Sequence, residues 1–247
     1  MRLFGLIGYP LSHSFSKQYF DEKFKKENLT DCQFENFPIS SIDKLKHVLD
    51  SYRQDLKGLA VTIPYKRSVL DFLNNTENIP RGLNACNCIK ILKGKLIGYN
   101  TDVAGFEKSI RPLLKPLQRK ALVLGNGGAA EAVVFALQKL DIDFKIVSRK
   151  IHNGSHLTYS DLTKEIISEY TIIINTTPLG MYPDAENCPL IPYEFISENH
   201  LLYDLIYNPE KTLFLKKGEE KGAVIKNGLE MLITQAEENW MIWNNNP

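Results

Sequence analysis

The feature of this sequence that most constrains its fold is a glycine loop between a predicted strand and a predicted helix. Residues 120–124 form a short apolar run, and G-N-G-G-A-A follows directly at residues 125–130, before a segment with helical periodicity. This order matches the G-x-G-x-x-A fingerprint, in which glycines permit a tight turn and admit a pyrophosphate to the backbone. Free N–H groups at the helix N-terminus favour the negative charge of the phosphates. A tight turn without a ligand is the alternative.

The flanking strand and helix favour the first interpretation, a site for a dinucleotide cofactor. Its predicted residues are Gly125, Asn126, Gly127, Gly128 and Ala129. The end of the next predicted strand, 144–147, indicates which dinucleotide binds, because Ser148, Arg149 and Lys150 follow it and no carboxylate does. A site for NAD uses an acid there for the ribose 2′-hydroxyl, whereas a site for NADP uses cationic and hydroxyl groups for the 2′-phosphate. Arg149 can bind a phosphate and Ser148 can add a hydrogen bond, so we predict NADP.

Short apolar runs alternate with segments of helical periodicity through most of the chain. Strands are predicted at 2–8, 59–63, 120–124, 144–147, 171–175 and 201–204, and helices at 18–26, 42–49, 130–140 and 213–221. Such alternation predicts α/β architecture with mostly parallel sheets. Residues 86–92 and 96–99 instead indicate a local hairpin.

Two further segments bear on domain organisation. The polar stretch 113–119, punctuated by Pro112 and Pro116, is the predicted linker between two halves, which a helix opening at Asp102 would bridge. The last segment of the chain is amphipathic, because apolar residues recur on one helical stripe from Leu229 to Trp243. That stripe must pack on a core, but its pattern does not identify which half provides the core.

Charge and cysteine content exclude several classes of function. Lys and Arg number 30 against 29 Asp and Glu, and a net charge of +1 gives no electrostatic reason for nucleic acid or a membrane surface as a partner. Four cysteines are too few for a disulfide scaffold in 247 residues. Neither Cys86 with Cys88 nor His152 with His156 has further ligands at zinc spacing. We therefore predict a cytoplasmic protein without a metal site.

Polar residues in the first half follow the predicted apolar strands. Ser14 and Ser16 come after the first strand, and Thr62 and Lys66 lie in V-T-I-P-Y-K. Asn87 lies in A-C-N-C, and Asp102 ends the segment G-Y-N-T-D. Ligands of open α/β sheets bind at the carboxyl ends of strands, so these groups could converge on one cleft that suits a small polyhydroxylated substrate. Taken singly, each has a simpler interpretation: Lys66 as a surface residue, and Asp102, Ser14 or Ser16 as helix caps.

Taken together and in this order, these segments resemble the shikimate dehydrogenase family over nearly the whole chain. The resemblance includes the two serines, V-T-x-P-x-K at 61–66, A-x-N at 85–87, N-T-D at 100–102, the glycine loop, N-T-T-P-L-G-M at 175–181, D-L-I-Y-N-P at 204–209 and G-L-E-M-L-I-T-Q at 228–235. The sequence departs from the family pattern at Lys17, at Asn84 and Cys88, at Asn126 and at Ser148.

The resemblance implies a reversible, NADPH-dependent reduction of 3-dehydroshikimate to shikimate, a step towards chorismate and the aromatic amino acids. It implies an N-terminal α/β substrate domain with a mostly parallel sheet, made of residues 1–101 and a C-terminal helix at about 228–247. Residues 102–227 would form a Rossmann-type NADP-binding domain. A monomer or a homodimer is expected.

By the same resemblance, Lys66 is the catalytic group and Asp102 is its hydrogen-bonded partner. The implied substrate-binding residues are Ser14, Ser16, Thr62, Asn87, Asp102, Tyr207 and Gln235, and Leu205 and Gly228 join the cofactor residues. Two alternatives stay open. The chain could act on quinate as well as shikimate, or it could bind NADP as a redox sensor without turnover.

Overall fold

The computed structural model describes residues 1–11, 14–151 and 156–245, so His152 lies outside the described residues. Contacts divide the chain into two compact units. Unit 1 contains residues 1–101 and 236–247, and unit 2 contains residues 102–235. The second division falls inside the last helix, and not at its start near residue 228.

Unit 1 is a five-stranded sheet with helices packed against it. Its strands lie in the order β2-β1-β3-β4-β5. β1 pairs in parallel with β2 and with β3, and the predicted hairpin of β4 and β5 continues the sheet in antiparallel fashion. The elements are β1 (Arg2–Gly8), α1 (Phe15–Lys26), β2 (Cys32–Pro38), α2 (Leu45–Ser51), β3 (Leu56–Val61), β4 (Cys88–Leu92) and β5 (Lys95–Tyr99).

An aromatic cluster forms the core of unit 1. Phe20 stacks on Phe34 with ring centroids 4.6 Å apart, and Trp243 stacks on Phe4 at 5.1 Å. Gly58 makes room for the tryptophan, because a Cβ at this position would lie 2.3 Å from its ring. The end of the amphipathic last helix therefore packs in unit 1, which answers the question that its sequence pattern left open.

Unit 2 is a six-stranded sheet in which every strand pair is parallel. Its order is β11-β10-β9-β6-β7-β8. Counted from β6, this is the doubly wound order 3-2-1-4-5-6, which reverses between β6 and β9. The elements are α3 (Asp102–Ile110), β6 (Lys120–Leu124), α4 (Gly128–Lys139), β7 (Asp143–Ser148), β8 (Leu157–Thr158), α5 (Lys164–Glu169), β9 (Ile172–Asn175), β10 (Leu201–Asp204), α6 (Leu213–Glu219), β11 (Val224–Lys226) and α7 (Leu229–Asn244).

These two sheets confirm the predicted fold class, an α/β chain whose C-terminal domain is of the Rossmann type. The central strands of unit 2 are buried almost throughout, because helices cover both faces of a parallel sheet. Three predicted strands, 2–8, 120–124 and 201–204, have the predicted bounds.

Other predictions were wrong in part. α1 begins at Phe15, three residues before the predicted start, because Ser14 caps it. β3 ends at Val61 and not at Ile63, whose side chain is exposed as the chain turns into Pro64. The predicted linker 113–119 lies inside unit 2, where the buried amide of Gln118 donates to the carbonyl of Asn199 at 2.8 Å.

Candidate functional sites in the two units

The glycine loop of unit 2 follows β6, at the point where the strand order reverses. Gly125 has φ +105°, a conformation that favours glycine, and its N–H donates to the Val147 carbonyl at 2.8 Å. A Cβ at Gly125 would lie 2.8 Å from Thr176 Oγ1, in the segment that follows β9. The predicted first glycine is therefore required both by the turn and by the close approach of the neighbouring loop.

The next two glycines leave open space in front of α4. A Cβ at Gly127 or at Gly128 would meet no atom within 4 Å, and Asn126 is exposed. Gly127 is the N-cap of α4 and offers the helix no side-chain hydrogen bond. The first N–H groups of this 12-residue helix thus face an uncrowded space, with Ala129 partly exposed in the first turn. This cradle fits the pyrophosphate of a dinucleotide.

The predicted 2′-phosphate residues lie at the end of β7. The Arg149 side chain is exposed, and its positive charge opposes the rise that burial causes in the pKa of Tyr159. Ser148 is buried, and its hydroxyl donates to the Lys150 carbonyl at 2.5 Å. The Ser148 hydrogen therefore holds the turn, which leaves the exposed guanidinium as the group that suits a phosphate.

Leu205 and Gly228, both predicted to bind the cofactor, lie against each other. A Cβ at Gly228 would be 2.0 Å from the Leu205 carbonyl oxygen, so only glycine fits there. The Gly228 N–H donates to the Ile206 carbonyl at 3.0 Å, and the Leu205 N–H donates to the Asn175 carbonyl at 3.0 Å. The turn after β10 is thereby held between β9 and the start of α7.

A buried network of hydrogen bonds connects the ends of β9 and β10. The sequence prediction missed it. Asp204 Oδ1 accepts from Asn175 Nδ2 at 3.1 Å and from the Ile206 N–H at 3.0 Å, and its Oδ2 accepts from Thr212 Oγ1 at 2.6 Å. Asn175 Oδ1 in turn accepts from the Thr177 N–H at 3.0 Å. Burial raises the pKa of Asp204 to about 6. The one signal in the sequence is a polar residue that closes each of two apolar strands.

In unit 1, the predicted substrate residues follow strands that end at one edge of the sheet. β1 and β3 are parallel neighbours, with Ile7 opposite Val61, so the segments that carry Ser14 and Thr62 leave at the same edge. β4 starts at this edge opposite Ala60, and β5 ends there opposite Cys88. The sheet topology thus brings the serine segment, the lysine segment, Asn87 and Thr101 to one edge.

The two serines take part in the first turn of α1. Ser14 is the N-cap, and its Oγ accepts from the Lys17 N–H at 3.4 Å. Ser16 is buried in the first turn. The capping interpretation therefore holds for Ser14, but a serine that accepts through its oxygen still has its own hydrogen to donate to a ligand.

The turn after β3 places Lys66. The Thr62 N–H donates to the Ile7 carbonyl and the Cys86 N–H donates to the Lys66 carbonyl, at 2.9 and 2.8 Å. Tyr65 is buried and its hydroxyl donates to the Ile39 carbonyl at 2.5 Å. The backbone of Lys66 is thus tied to the segment before β4, while its side chain is half-buried.

Asn87 belongs to a second buried network, which lies wholly in unit 1. Its Oδ1 accepts from the Thr101 N–H at 2.7 Å and its Nδ2 donates to Thr101 Oγ1 at 3.0 Å. Thr101 Oγ1 donates to Asn239 Oδ1 at 2.8 Å. The sequence prediction did not select Asn239, because a single polar residue in a helix far along the chain does not indicate its partners.

The remaining predicted residues lie in unit 2. Asp102 is buried at the first position of α3, directly after Thr101. Tyr207 is half-buried in the turn after β10, and burial raises the pKa of its hydroxyl. Gln235 is half-buried on α7, beside Gly105 of α3, where a Cβ on the glycine would lie 3.3 Å from Gln235 Cβ. By its contacts Gln235 is grouped with unit 2.

Within residues 1–11, 14–151 and 156–245, no cluster of three or more His, Cys, Asp or Glu side chains has the arrangement of a metal site. In the same part of the chain, no helix combines the length and the apolar character that a membrane span requires.

Comparison with known proteins identifies relatives over the whole chain. Residues 6–89 match the family model of the shikimate dehydrogenase substrate binding domain. The NADP⁺-dependent shikimate dehydrogenase of Methanococcus vannielii is 34% identical, over 98% of this chain and 90% of that protein.

Solved structures of shikimate dehydrogenases are also similar to this chain. A crystal structure of a shikimate dehydrogenase in complex with NADP⁺ superimposes with a TM-score of 0.87 at 31% identity, over 99% of this chain and 90% of that one. The shikimate 5-dehydrogenase of Thermus thermophilus, in complex with NADP(H) and shikimate, has a TM-score of 0.87 at 27% identity, over 99% of this chain and 94% of that one.

Proposed function

This chain belongs to the shikimate dehydrogenase family, and we propose that it catalyses the reversible NADPH-dependent reduction of 3-dehydroshikimate to shikimate. Its class is that of an NADP-dependent oxidoreductase acting on a CH–OH group. The observation that carries the proposal is the meeting of the Lys66, Asn87 and Thr101 segments at one edge of the unit 1 sheet, in a chain whose other unit carries a dinucleotide cradle.

Unit 2 supplies the groups for NADP. The uncrowded loop at Gly127 and Gly128 and the first N–H groups of α4 would hold the pyrophosphate, and Arg149 would hold the 2′-phosphate. Leu205 and Gly228 would contribute backbone at the carboxyl end of β10. When bound, NADPH supplies the hydride that reduces the ketone carbon.

Unit 1 supplies the proton and the substrate contacts of Ser14, Ser16, Thr62 and Asn87. The Lys66 ammonium would stabilise the negative charge that develops on the ketone oxygen and would donate the proton that makes it a hydroxyl. Asp102 would accept a hydrogen bond from the substrate hydroxyl.

The other residues would orient the substrate. Ser14 and Ser16 would donate to the carboxylate of shikimate, as hydroxyl groups with a free hydrogen can. Asn87, whose amide is already fixed by Thr101, would be held ready for the ring hydroxyls. Thr62, Tyr207 and Gln235 would complete the set. We expect this chemistry in the cytoplasm, by a monomer or a homodimer.

Nicotinamide absorbance, measured with NADP or NAD and with shikimate or quinate in all four combinations, tests the proposal. Turnover should be highest with NADP and shikimate. Comparable turnover of quinate would move the assignment to an enzyme of dual specificity. Binding of NADP without turnover of either acid would contradict the proposal and favour a redox sensor.

A further inference from the structure

The ends of β9 and β10 carry a buried carboxylate for which the proposed chemistry has no use. Asp204 and Asn175 are fully buried in unit 2, and so is Thr212, the N-cap of α6. A carboxylate in such a place is costly unless several donors compensate it. Three donors do so here, and two of them lead to the irregular segments that follow the two strands.

The charge of Asp204 decides how the neighbouring amide is oriented. An ionised carboxylate only accepts hydrogen bonds, so Asn175 must turn its NH₂ group towards Asp204. Asn175 Oδ1 then faces the other way and accepts from both the N–H and the hydroxyl of Thr177, at 3.0 and 2.6 Å. The same orientation directs Asn175 Nδ2 towards the Leu179 carbonyl at 3.4 Å. One charge thereby fixes the path of residues 176–179.

The same carboxylate also fixes the turn after β10. Asp204 Oδ1 accepts from the Ile206 N–H, and the Ile206 carbonyl accepts from the Gly228 N–H. The loop after β9 reaches this turn directly, because the Tyr182 N–H donates to the Asn208 carbonyl at 3.3 Å. Two loops without regular structure are therefore attached to one buried group.

These loops lie on one side of the point where the strand order reverses. A dinucleotide on a doubly wound sheet lies across that point, with one nucleotide on each half of the sheet. β6, β7 and β8 carry the glycine loop and Arg149, so the adenosine phosphate belongs to that half. The half formed by β9, β10 and β11 is left for the nicotinamide nucleotide.

We infer that Asp204 is a positioning residue for the nicotinamide half of NADP, acting through Asn175 and Ile206 on the two loops that flank it. This inference rests on the proposed function. The Asp204 pKa of about 6 is consistent with it, because the carboxyl is then ionised at neutral pH.

The test compares Asp204→Asn with a matched control on the same strand. Asparagine keeps the shape but presents an NH₂ group, so nothing then forces the orientation of the Asn175 amide. The control is Tyr203→Phe, which removes a buried hydrogen bond from the neighbouring residue of β10: the Tyr203 hydroxyl lies 2.6 Å from Ser109 Oγ. Successive strand residues face opposite sides of the sheet, so this loss does not touch the two loops.

Calorimetry should be done with NADP and with adenosine 2′,5′-bisphosphate, which contains only the adenosine half. We expect Asp204→Asn to weaken NADP binding by roughly 3- to 30-fold, as for other residues that act on a ligand through a neighbour. Binding of the bisphosphate should stay within about 2-fold, and Tyr203→Phe should change neither affinity. Amide hydrogen exchange at Thr177 and Ile206 should be faster in Asp204→Asn than in the control.

Unchanged NADP affinity, or equal weakening of both ligands, would overturn the inference. So would unchanged exchange at both amides. If the unaltered protein bound neither ligand, the proposed cofactor site itself would be wrong, and the inference would fall with it.

Discussion

Units 1 and 2 both bring polar groups together at one edge of a sheet, but they do so by different means. In unit 2 the cradle is made of backbone: a glycine at φ +105°, two glycines with open space in front of them, and the first N–H groups of a helix. In unit 1 the groups are side chains, among them Lys66 and Asn87, which the sheet topology brings to one edge. The comparison indicates that a backbone site suits a ligand part shared by many enzymes, whereas a side-chain site can be specific for one substrate.

The buried networks beneath these two sites differ in charge. The network of Asn87, Thr101 and Asn239 in unit 1 contains only neutral amides and a hydroxyl. The network of unit 2 is centred on the carboxyl of Asp204, whose pKa burial raises to about 6. We therefore expect a substitution in the unit 1 network to change the free energy of unfolding equally at every pH. The effect of a substitution at Asp204 should depend on pH.

The largest expected effect tests whether unit 1 supplies the proton donor while unit 2 binds the cofactor. Lys66→Ala should lower kcat by about 10²- to 10⁴-fold, because it removes a positioned proton donor. The Kd for NADP should stay within about 2-fold, because the cofactor groups belong to unit 2. Stopped-flow and equilibrium titration measure the two quantities.

The matched control is Lys95→Ala, which removes an exposed lysine from β5 of the same unit. Its kcat should equal that of the unaltered protein. A Lys66→Ala variant with near-normal turnover would remove Lys66 from the catalytic role and leave it as a surface residue.

The next effect sharpens the contrast between the two networks. The folded pKa of Asp204, about 6, lies above its ordinary 3.8. The contribution of this carboxyl to the free energy of unfolding is therefore fully present at low pH and is lost as pH rises through about 6. The asparagine of Asp204→Asn has no proton to lose, so only the unaltered protein loses this stability as pH rises. The free energy of unfolding of the variant minus that of the unaltered protein should therefore increase by roughly 2–3 kcal/mol from about pH 4 to about pH 8.

Thr101→Val provides the neutral counterpart in unit 1. It leaves buried amide groups without a partner and should cost about 1–3 kcal/mol, with no pH dependence of its own. Urea unfolding followed by circular dichroism at several pH values measures both variants. Parallel curves for Asp204→Asn and the unaltered protein would show that the carboxyl does not titrate in this range.

A third prediction concerns the cofactor alone. Arg149→Ala should raise the KM for NADP by about 10- to 150-fold, because one charged hydrogen-bonding partner contributes roughly 1.5–3 kcal/mol. The KM for NAD should hardly change, since NAD has no 2′-phosphate. Lys164→Ala, which removes an exposed cation from α5, is the control. Equal losses for both cofactors would contradict the 2′-phosphate assignment.

The smallest effect concerns substrate choice in unit 1. Quinate carries one more hydroxyl than shikimate beside the carboxylate, where Ser14 is assigned, and a buried hydroxyl without a partner costs about 1–3 kcal/mol. We expect kcat/KM to favour shikimate by roughly 10-fold or more. Ser14→Ala should weaken the binding of both acids and leave the Kd for NADP unchanged. Equal kcat/KM for the two acids would contradict the assignment.

The sequence predicted most of the buried strands because each is a run of apolar residues. β2 was missed, since in C-Q-F-E-N-F-P only Phe34 and Phe37 are buried, and this spacing fits neither a buried run nor a regular alternation. β8 and β11 have two and three residues, too few for a pattern. α5 has six residues and was missed for the same reason.

Site residues, like strands, could be predicted only where a local sequence pattern indicates them. The glycine loop could be predicted because backbone geometry restricts the residue type at each position. Leu205 and Gly228 required a family resemblance, since 23 positions separate them and only the fold shows the glycine against the Leu205 carbonyl. Asp204 and Asn239 were not given a role, because a buried network depends on which side chains meet, and neither residue has a local pattern that reveals its partners.

Helix α7 begins in unit 2 and ends in unit 1, and this determines which unit tryptophan fluorescence reports on. The sequence contains two tryptophans, Trp240 and Trp243, and both belong to the aromatic cluster of unit 1. Tryptophan emission is therefore a reporter of unit 1, while far-ultraviolet circular dichroism averages over both units. In one denaturant titration the two signals will superimpose only if the units unfold together. A fluorescence transition displaced from the dichroism transition would show that the chain melts in two stages despite its shared helix.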